Sequence, residues 1–258
     1  MDFIDTHTHL DHDEFADDID EVIEASRRAG VNRWINVGYS EDRWRTSAEL
    51  VDRFDGMRVM LGLHPGNADD WDERLEGVLR RLVGVLGPVA IGEIGLDLYW
   101  RQDNLAVQER ALRMQLEIAR EAGVPAVIHM RDADRQLLDV LESMPTLPPL
   151  HFHSFDGDEE LRAWVLDHRA TIGVGGLLTR RGSESLQQWV ADVPREIVAL
   201  ETDAPYLKPR GIRGKRNEPA YLTKTASLLA ELWQVDLGAV STLTTANAER
   251  IFGMGERR

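Results

Sequence analysis

The chain has 258 residues, 43% of them hydrophobic, with 30 Lys+Arg against 45 Asp+Glu and a formal charge of −15. That length suits one closed α/β barrel of about 250 residues, and the acidic balance argues against a broad basic face gripping duplex nucleic acid, since such binding draws its strength from released counterions. The absence of cysteine excludes disulfides, thiolate metal sites and a cysteine nucleophile together.

From the N-terminus, MDFIDTHTHLDHDEF is too acidic and too interrupted for a signal peptide. Short Val/Ile/Leu-rich runs that do not alternate mark parallel strands buried on both faces. They are read at residues 3–5, 33–37, 58–63, 89–91, 126–128, 150–153, 171–173 and 197–200. Segments of helical period separate and follow them, at 17–29, 42–54, 71–86, 106–122, 133–144, 159–167, 184–193 and 221–232. The fourth shows the apolar stripe well, with Leu105, Leu112, Leu116 and Ala119 on one side and Gly123 placed as a C-cap. Eight strand–helix units predict an α/β fold of the (β/α)8 TIM-barrel type, one domain over residues 1–258. A doubly wound open sheet is the alternative, but the G-x-G-x-x-G expected after its first strand is missing. The longest irregular stretch, 204–219, follows the last strand and carries Pro205, Pro209 and Pro219; loops of that length are functional or disordered. No run of about 18 apolar residues is available to span a bilayer, so a soluble, cytoplasmic protein without a membrane partner is expected.

Histidine placement carries the functional signal. Of His7, His9, His12, His64, His129, His151, His153 and His168, all but His12 and His168 fall at or just beyond a predicted strand end. In a (β/α)8 barrel those ends share the rim that holds the active site. His7 and His9 are two apart on a strand, so both imidazoles reach toward one cation. Glu93 ends strand four between two glycines, His129 closes strand five, His153 closes strand six, and Asp203 follows strand eight. Four histidines and two carboxylates suffice for a pair of divalent cations, Zn, Mn, Ni or Mg, with positions left for water and substrate.

The motifs Asp5-Thr6-His7-Thr8-His9-Leu10-Asp11, Gly62-Leu63-His64-Pro65, Gly92-Glu93-Ile94-Gly95-Leu96-Asp97, Ile128-His129-Met130-Arg131-Asp132-Ala133, His153-Ser154-Phe155-Asp156-Gly157, Glu201-Thr202-Asp203-Ala204-Pro205-Tyr206 and Gly214-Lys215-Arg216-Asn217-Glu218-Pro219 occur in this order. Together they closely resemble the TatD family of metal-dependent hydrolases, over residues 5–219, with a similar tail at 247–252. The resemblance implies a TIM barrel of the amidohydrolase type and metal-dependent deoxyribonuclease activity. It makes His7, His9, Glu93, His129, His153 and Asp203 the metal ligands. Met130 departs from the family pattern, which has a small polar residue there. The pattern also selects His153 over His151, leaving His151 as a buried, hydrogen-bonded histidine one layer deeper.

The mechanism expected is hydrolysis of a phosphodiester by a metal-activated water. His7, His9 and Asp203 would hold one cation, His129 and His153 the other, and Glu93 would bridge. Water on such cations has its pKa lowered to about 7, and Asp203 would accept its proton. His64, Arg131, Arg213, Arg216 and Asn217 are candidate phosphate contacts. Lys208, Arg210, Arg213, Lys215 and Arg216 form a basic island over the rim. Trp100, with Tyr99 and Tyr206, is placed to stack on an unpaired base. An acidic envelope with one cationic mouth favours ends of single-stranded DNA, and the resemblance points to the 3′ end. A monomer without an obligate protein partner is expected. The alternatives are a metal-dependent deacylase, such as one acting on aminoacyl-tRNA, and a non-catalytic metal-binding module.

Overall fold

The computed structural model describes residues 1–255. Its strands are β1 (Phe3–Thr8), β2 (Val31–Gly38), β3 (Met57–Leu61), β4 (Ala90–Asp97), β5 (Ala126–Arg131), β6 (Leu150–Phe152), β7 (Thr171–Val174) and β8 (Val198–Leu200). All pair in parallel with their sequence neighbours, in the order β1 to β8. The seam between β8 and β1 is held beyond the strand ends, where Thr8 bridges to Ala204, the Asp203 N–H donates to the His7 carbonyl at 2.9 Å, and the His9 N–H donates to the Ala204 carbonyl at 2.8 Å. The expected TIM barrel is therefore the observed fold.

Eight helices alternate with the strands: α1 (Ile19–Arg28), α2 (Glu41–Arg53), α3 (Glu73–Leu86), α4 (Leu105–Ala122), α5 (Asp134–Ser143), α6 (Glu159–Asp167), α7 (Glu184–Asp192) and α8 (Leu222–Trp233). Their starts and stops follow from local chemistry. The carboxylates of Asp72 and Asp158 accept the N–H groups of Leu75 and Leu161 at 2.7 and 2.9 Å, capping α3 and α6. Gly123 ends α4 in the left-handed region, at φ 69°, a conformation that suits a residue without Cβ.

The largest departures from the sequence reading are two, beside a β1 that runs to Thr8 and so takes in His7. A ninth helix, α9 (Leu237–Phe252), continues the chain after α8. It packs on β1 and β8, and its Ala248 and Phe252 join Ile4, Ile35, Val37, Met60, Ala90 and Val127 in a buried apolar cluster that plugs the barrel floor. The second departure is at β4, which was expected to stop at residue 91 but runs on to Asp97 with a register shift between Ile91 and Ile94. That extension carries Glu93 inside the strand rather than past its end.

Candidate active site

The polar residues gather at the end of the barrel opposite α9. His7 is wholly buried, and neither of its ring nitrogens has a hydrogen-bond partner. Its Nε2 lies 3.5 Å from Glu93 Oε2 and 3.8 Å from Asp203 Oδ1. His9 Nε2 lies 3.1 Å from Asp203 Oδ1 and 4.0 Å from Glu93 Oε2. The other Glu93 oxygen faces a different pair, with Oε1 at 2.6 Å from His129 Nδ1 and 2.7 Å from His153 Nε2. Those two nitrogens are themselves 3.2 Å apart. One carboxylate thus turns its two oxygens toward two separate groups of imidazoles.

Donor atoms of His7, His9 and Glu93, of His7, His153 and Asp203, and of His64, Glu93 and His129 lie within 4.8 Å of one another in each set. A buried imidazole with both nitrogens unpaired, beside carboxylates, is costly unless something satisfies it. Divalent cations fit this donor set, since imidazole nitrogen and carboxylate oxygen are their usual partners.

Charge follows the same arrangement. Burial, together with the nearby His153, pushes His7 down to about 4, which leaves a neutral ring, the form that ligates metal. Burial opposes ionisation of Glu93, but His153 and His129 outweigh it and hold the carboxyl well below the usual range. His153, in spite of its burial, is pushed up to about 10 by the adjacent Glu93.

Three carboxylates that the sequence reading left without a role hold the site in place. Asp5 is wholly buried and accepts the Thr202 N–H at 2.9 Å and the Thr202 hydroxyl at 2.5 Å. It thereby pins the turn in which Asp203 adopts φ 58°, a strained setting for a residue with a Cβ and one that clusters at functional sites. Asp97 Oδ2 accepts from His129 Nε2 at 3.1 Å, while its Oδ1 accepts the N–H groups of Tyr99 and Trp100 at 3.0 and 3.2 Å. Glu201, wholly buried, accepts the Ser154 N–H at 2.5 Å and is pushed up to about 8 by burial. Only their membership of the D-T-H-T-H, G-L-D and E-T-D motifs could have drawn attention to them.

The expected substrate contacts divide. His64 Nε2 stands 3.9 Å from Glu93 Oε1, and its Nδ1 accepts the Gly66 N–H at 2.9 Å. The Arg131 guanidinium lies 3.7 Å from the Tyr99 ring centre and 5.6 Å from that of Trp100, and Trp100 is 72% exposed. Tyr206 borders the opposite side, edge-on to His9 at 5.6 Å. Arg213 is exposed. Arg216 and Asn217, in contrast, are engaged within the protein. Arg216 grips the Asp18 carboxylate with both terminal nitrogens, reaches Glu218 at 3.1 Å, and covers the Phe15 ring at 4.7 Å. Asn217 is wholly buried, donates to the Thr202 carbonyl at 2.8 Å, and accepts the Glu218 N–H at 2.9 Å. His151 stays out of the ligand cluster, with its Nδ1 2.9 Å from the Thr171 hydroxyl.

Residues 4–253 match the family model described as TatD related DNase. An uncharacterized metal-dependent hydrolase, TatD, of Mycobacterium tuberculosis is 35% identical over 99% of this chain and 99% of its own length. The 3′-5′ ssDNA/RNA exonuclease TatD of Cronobacter sakazakii is 33% identical over 96% of this chain and 94% of its own. Among solved structures, the TatD homolog YJJV of Escherichia coli superposes with a TM-score of 0.89 at 27% identity, covering 97% of this chain and 98% of that one. With the family model spanning nearly the whole chain and imidazoles and carboxylates converging on one mouth, this protein belongs to the TatD related DNase family of metal-dependent hydrolases.

Proposed function

We propose that this protein is a divalent-metal-dependent nuclease that removes nucleotides from the 3′ end of single-stranded DNA. The observation that carries the reading is Glu93, whose two oxygens face His7 and His9 on one side and His129 and His153 on the other. Such a donor set would hold divalent cations, one by His7, His9 and Asp203 and one by His129 and His153, with Glu93 available to both. Divalent cations held there supply Lewis acidity toward the phosphate and lower the pKa of water.

The chain's own residues supply the rest. Asp203 accepts the proton of the attacking water. Burial opposes its ionisation, but His9, His7 and His153 overcome that and keep the carboxyl below its ordinary range, so it is an acceptor at neutral pH. Arg131 and His64 border the mouth and orient the phosphate. The exposed Arg213 extends that role onto the loop, whereas Arg216 and Asn217 anchor the loop rather than touch substrate. Tyr99 and Trp100 offer aromatic faces to an unpaired base, which every base can use.

Choice of substrate is supported by the relatives named as 3′-5′ ssDNA/RNA exonucleases, in Cronobacter sakazakii and Salmonella typhimurium, each 33% identical. The −15 charge fits the same choice, because an acidic envelope repels a duplex along its length while a strand end reaches one local mouth. The test compares 5′-labelled linear single strands with covalently closed circles, in Mn2+ or Mg2+ and then with chelator. Stepwise shortening of linear DNA only, abolished by chelator, is expected. Equal cutting of circles contradicts the need for an end, and turnover of aminoacyl esters with intact DNA contradicts the nuclease reading.

A further inference from the structure

A histidine that ligates metal through one nitrogen is held in its tautomer by an acceptor on the other, and such partners tune affinity nearly as much as the ligands do. His129 meets this condition, since its Nδ1 faces Glu93 and its Nε2 is hydrogen-bonded to Asp97. His153 does not yet meet it. Its Nε2 faces Glu93, while its Nδ1 is buried with no hydrogen-bond partner. Among the described residues, the carboxylate oxygen within 4 Å of that Nδ1 is Glu201 Oε1, at 3.7 Å.

Glu201 is built into the barrel interior for some purpose. It is wholly buried, its Oε1 is oriented by the Ser154 N–H, and its Oε2 has no hydrogen-bond partner. The neighbouring His151 makes no claim on it as a donor. The Thr171 hydroxyl gives its proton to the Leu150 carbonyl at 3.1 Å, so it accepts from His151 Nδ1–H at 2.9 Å. A neutral His151 then has only an acceptor, Nε2, facing Glu201 Oε2 across 4.0 Å. Space for the carboxylate comes from β7, where a Cβ at Gly173 would stand 1.9 Å from Glu201 Oε2 and 2.5 Å from its Cδ. Gly173 lies in extended backbone within a strand, so the missing side chain answers to crowding and not to the turn of the chain.

We propose that Glu201 is the positioning residue of His153, its Oε1 accepting the Nδ1–H so that Nε2 presents its lone pair to a cation, and that Gly173 is the seat that admits it. An ordinary hydrogen bond requires the 3.7 Å approach to shorten by about 0.8 Å. The assignment rests on the proposed metal site and names a residue outside the ligand set.

The test is calorimetric titration of metal-free protein with Mn2+, with thermal melting of the same samples. Glu201→Gln keeps the shape of the side chain and should weaken binding by about 10- to 100-fold, without moving the melting temperature of the metal-free protein by more than a degree or two. In Zn2+-loaded, 15N-histidine-labelled protein, the His153 Nδ1–H resonance should be present in the wild type and shifted or lost in Glu201→Gln. Gly173→Ala should weaken Mn2+ binding to a similar extent, yet add nothing in a double variant with Glu201→Ala, because the two changes act through one contact. Should Gly173→Ala fail to fold, Glu201→Gln decides alone. Wild-type affinity within twofold and an unchanged Nδ1–H signal in Glu201→Gln overturn the proposal. A wild-type protein that takes up no Mn2+ overturns the proposed metal site itself, and this inference with it, and is distinguished by failing before any variant is made.

Discussion

His151 and His153 stand two residues apart at the same strand end and live in opposite worlds. His151 lies edge-on to Phe252 of the floor at 5.2 Å, hydrogen-bonds to Thr171, and is pushed down to about 3 by burial. His153 sits one step nearer the mouth, 2.7 Å from Glu93, and is pushed up to about 10 against its burial. The same residue type is thus a packing element in one layer and an electrostatic one in the next. This contrast runs round the whole barrel. The floor is closed by Ile4, Ile35, Val37, Met60, Ala90, Val127 and the end of α9, whereas the mouth gathers imidazoles, carboxylates and the left-handed turn at Asp203. Apolar side chains close one end, whereas the other holds buried polar groups without hydrogen-bond partners, ready for a ligand.

Damage to the two ends should therefore separate. Glu93→Ala removes the carboxylate shared by both imidazole groups and should lower kcat/KM by at least about 10^3-fold, with the fold kept, as steady-state hydrolysis and circular dichroism will show. Phe252→Ala should do the reverse. It opens a cavity under the barrel and should cost about 3–5 kcal/mol in denaturant unfolding, while Mn2+ affinity measured on the folded fraction stays at the wild-type value. Loss of metal affinity in Phe252→Ala would show that the two layers are coupled after all. Asp97→Asn sharpens the comparison within the mouth. It withdraws the charge behind His129 and should weaken cation binding by about 10- to 100-fold. The smallest effect is expected of Trp100→Ala, at the lower end of base stacking because the ring is 72% exposed. A rise in KM for single-stranded DNA of roughly fivefold, for about 1 kcal/mol, with little change in kcat is the outcome to look for.

The two ends also differed in how readily they could be read from the sequence. Unbroken apolar runs marked the strands, and the histidines at their ends marked the mouth, because both signals are local. The termination of β4 was misplaced since Gly92 and Gly95 interrupt the apolar run, although the strand passes straight through them. Helix α9 was missed because Ser241, Thr242, Thr244 and Thr245 dilute its helical pattern, and what places it is the barrel floor it covers. Its Asp236 cap, accepting the Ala239 N–H at 2.7 Å, was the signal available. Asp5, Asp97 and Glu201 are three acids among 45 Asp+Glu, and apart from the motifs that contain them nothing in the linear chain distinguishes a buried acceptor from a solvated charge. Arg216 shows the converse. In a run of basic residues it read as a phosphate contact, but tertiary structure pairs it with Asp18 and Glu218.

The central claim is that Glu93 joins two cation sites at the mouth of the barrel. Titration of the metal-free protein with Mn2+, followed by calorimetry and checked by elemental analysis of the dialysed complex, tests it most directly. The account predicts two ions per wild-type chain, falling to one or none in Glu93→Ala. Saturation of the wild type at a single ion, or two ions retained in Glu93→Ala, would contradict it.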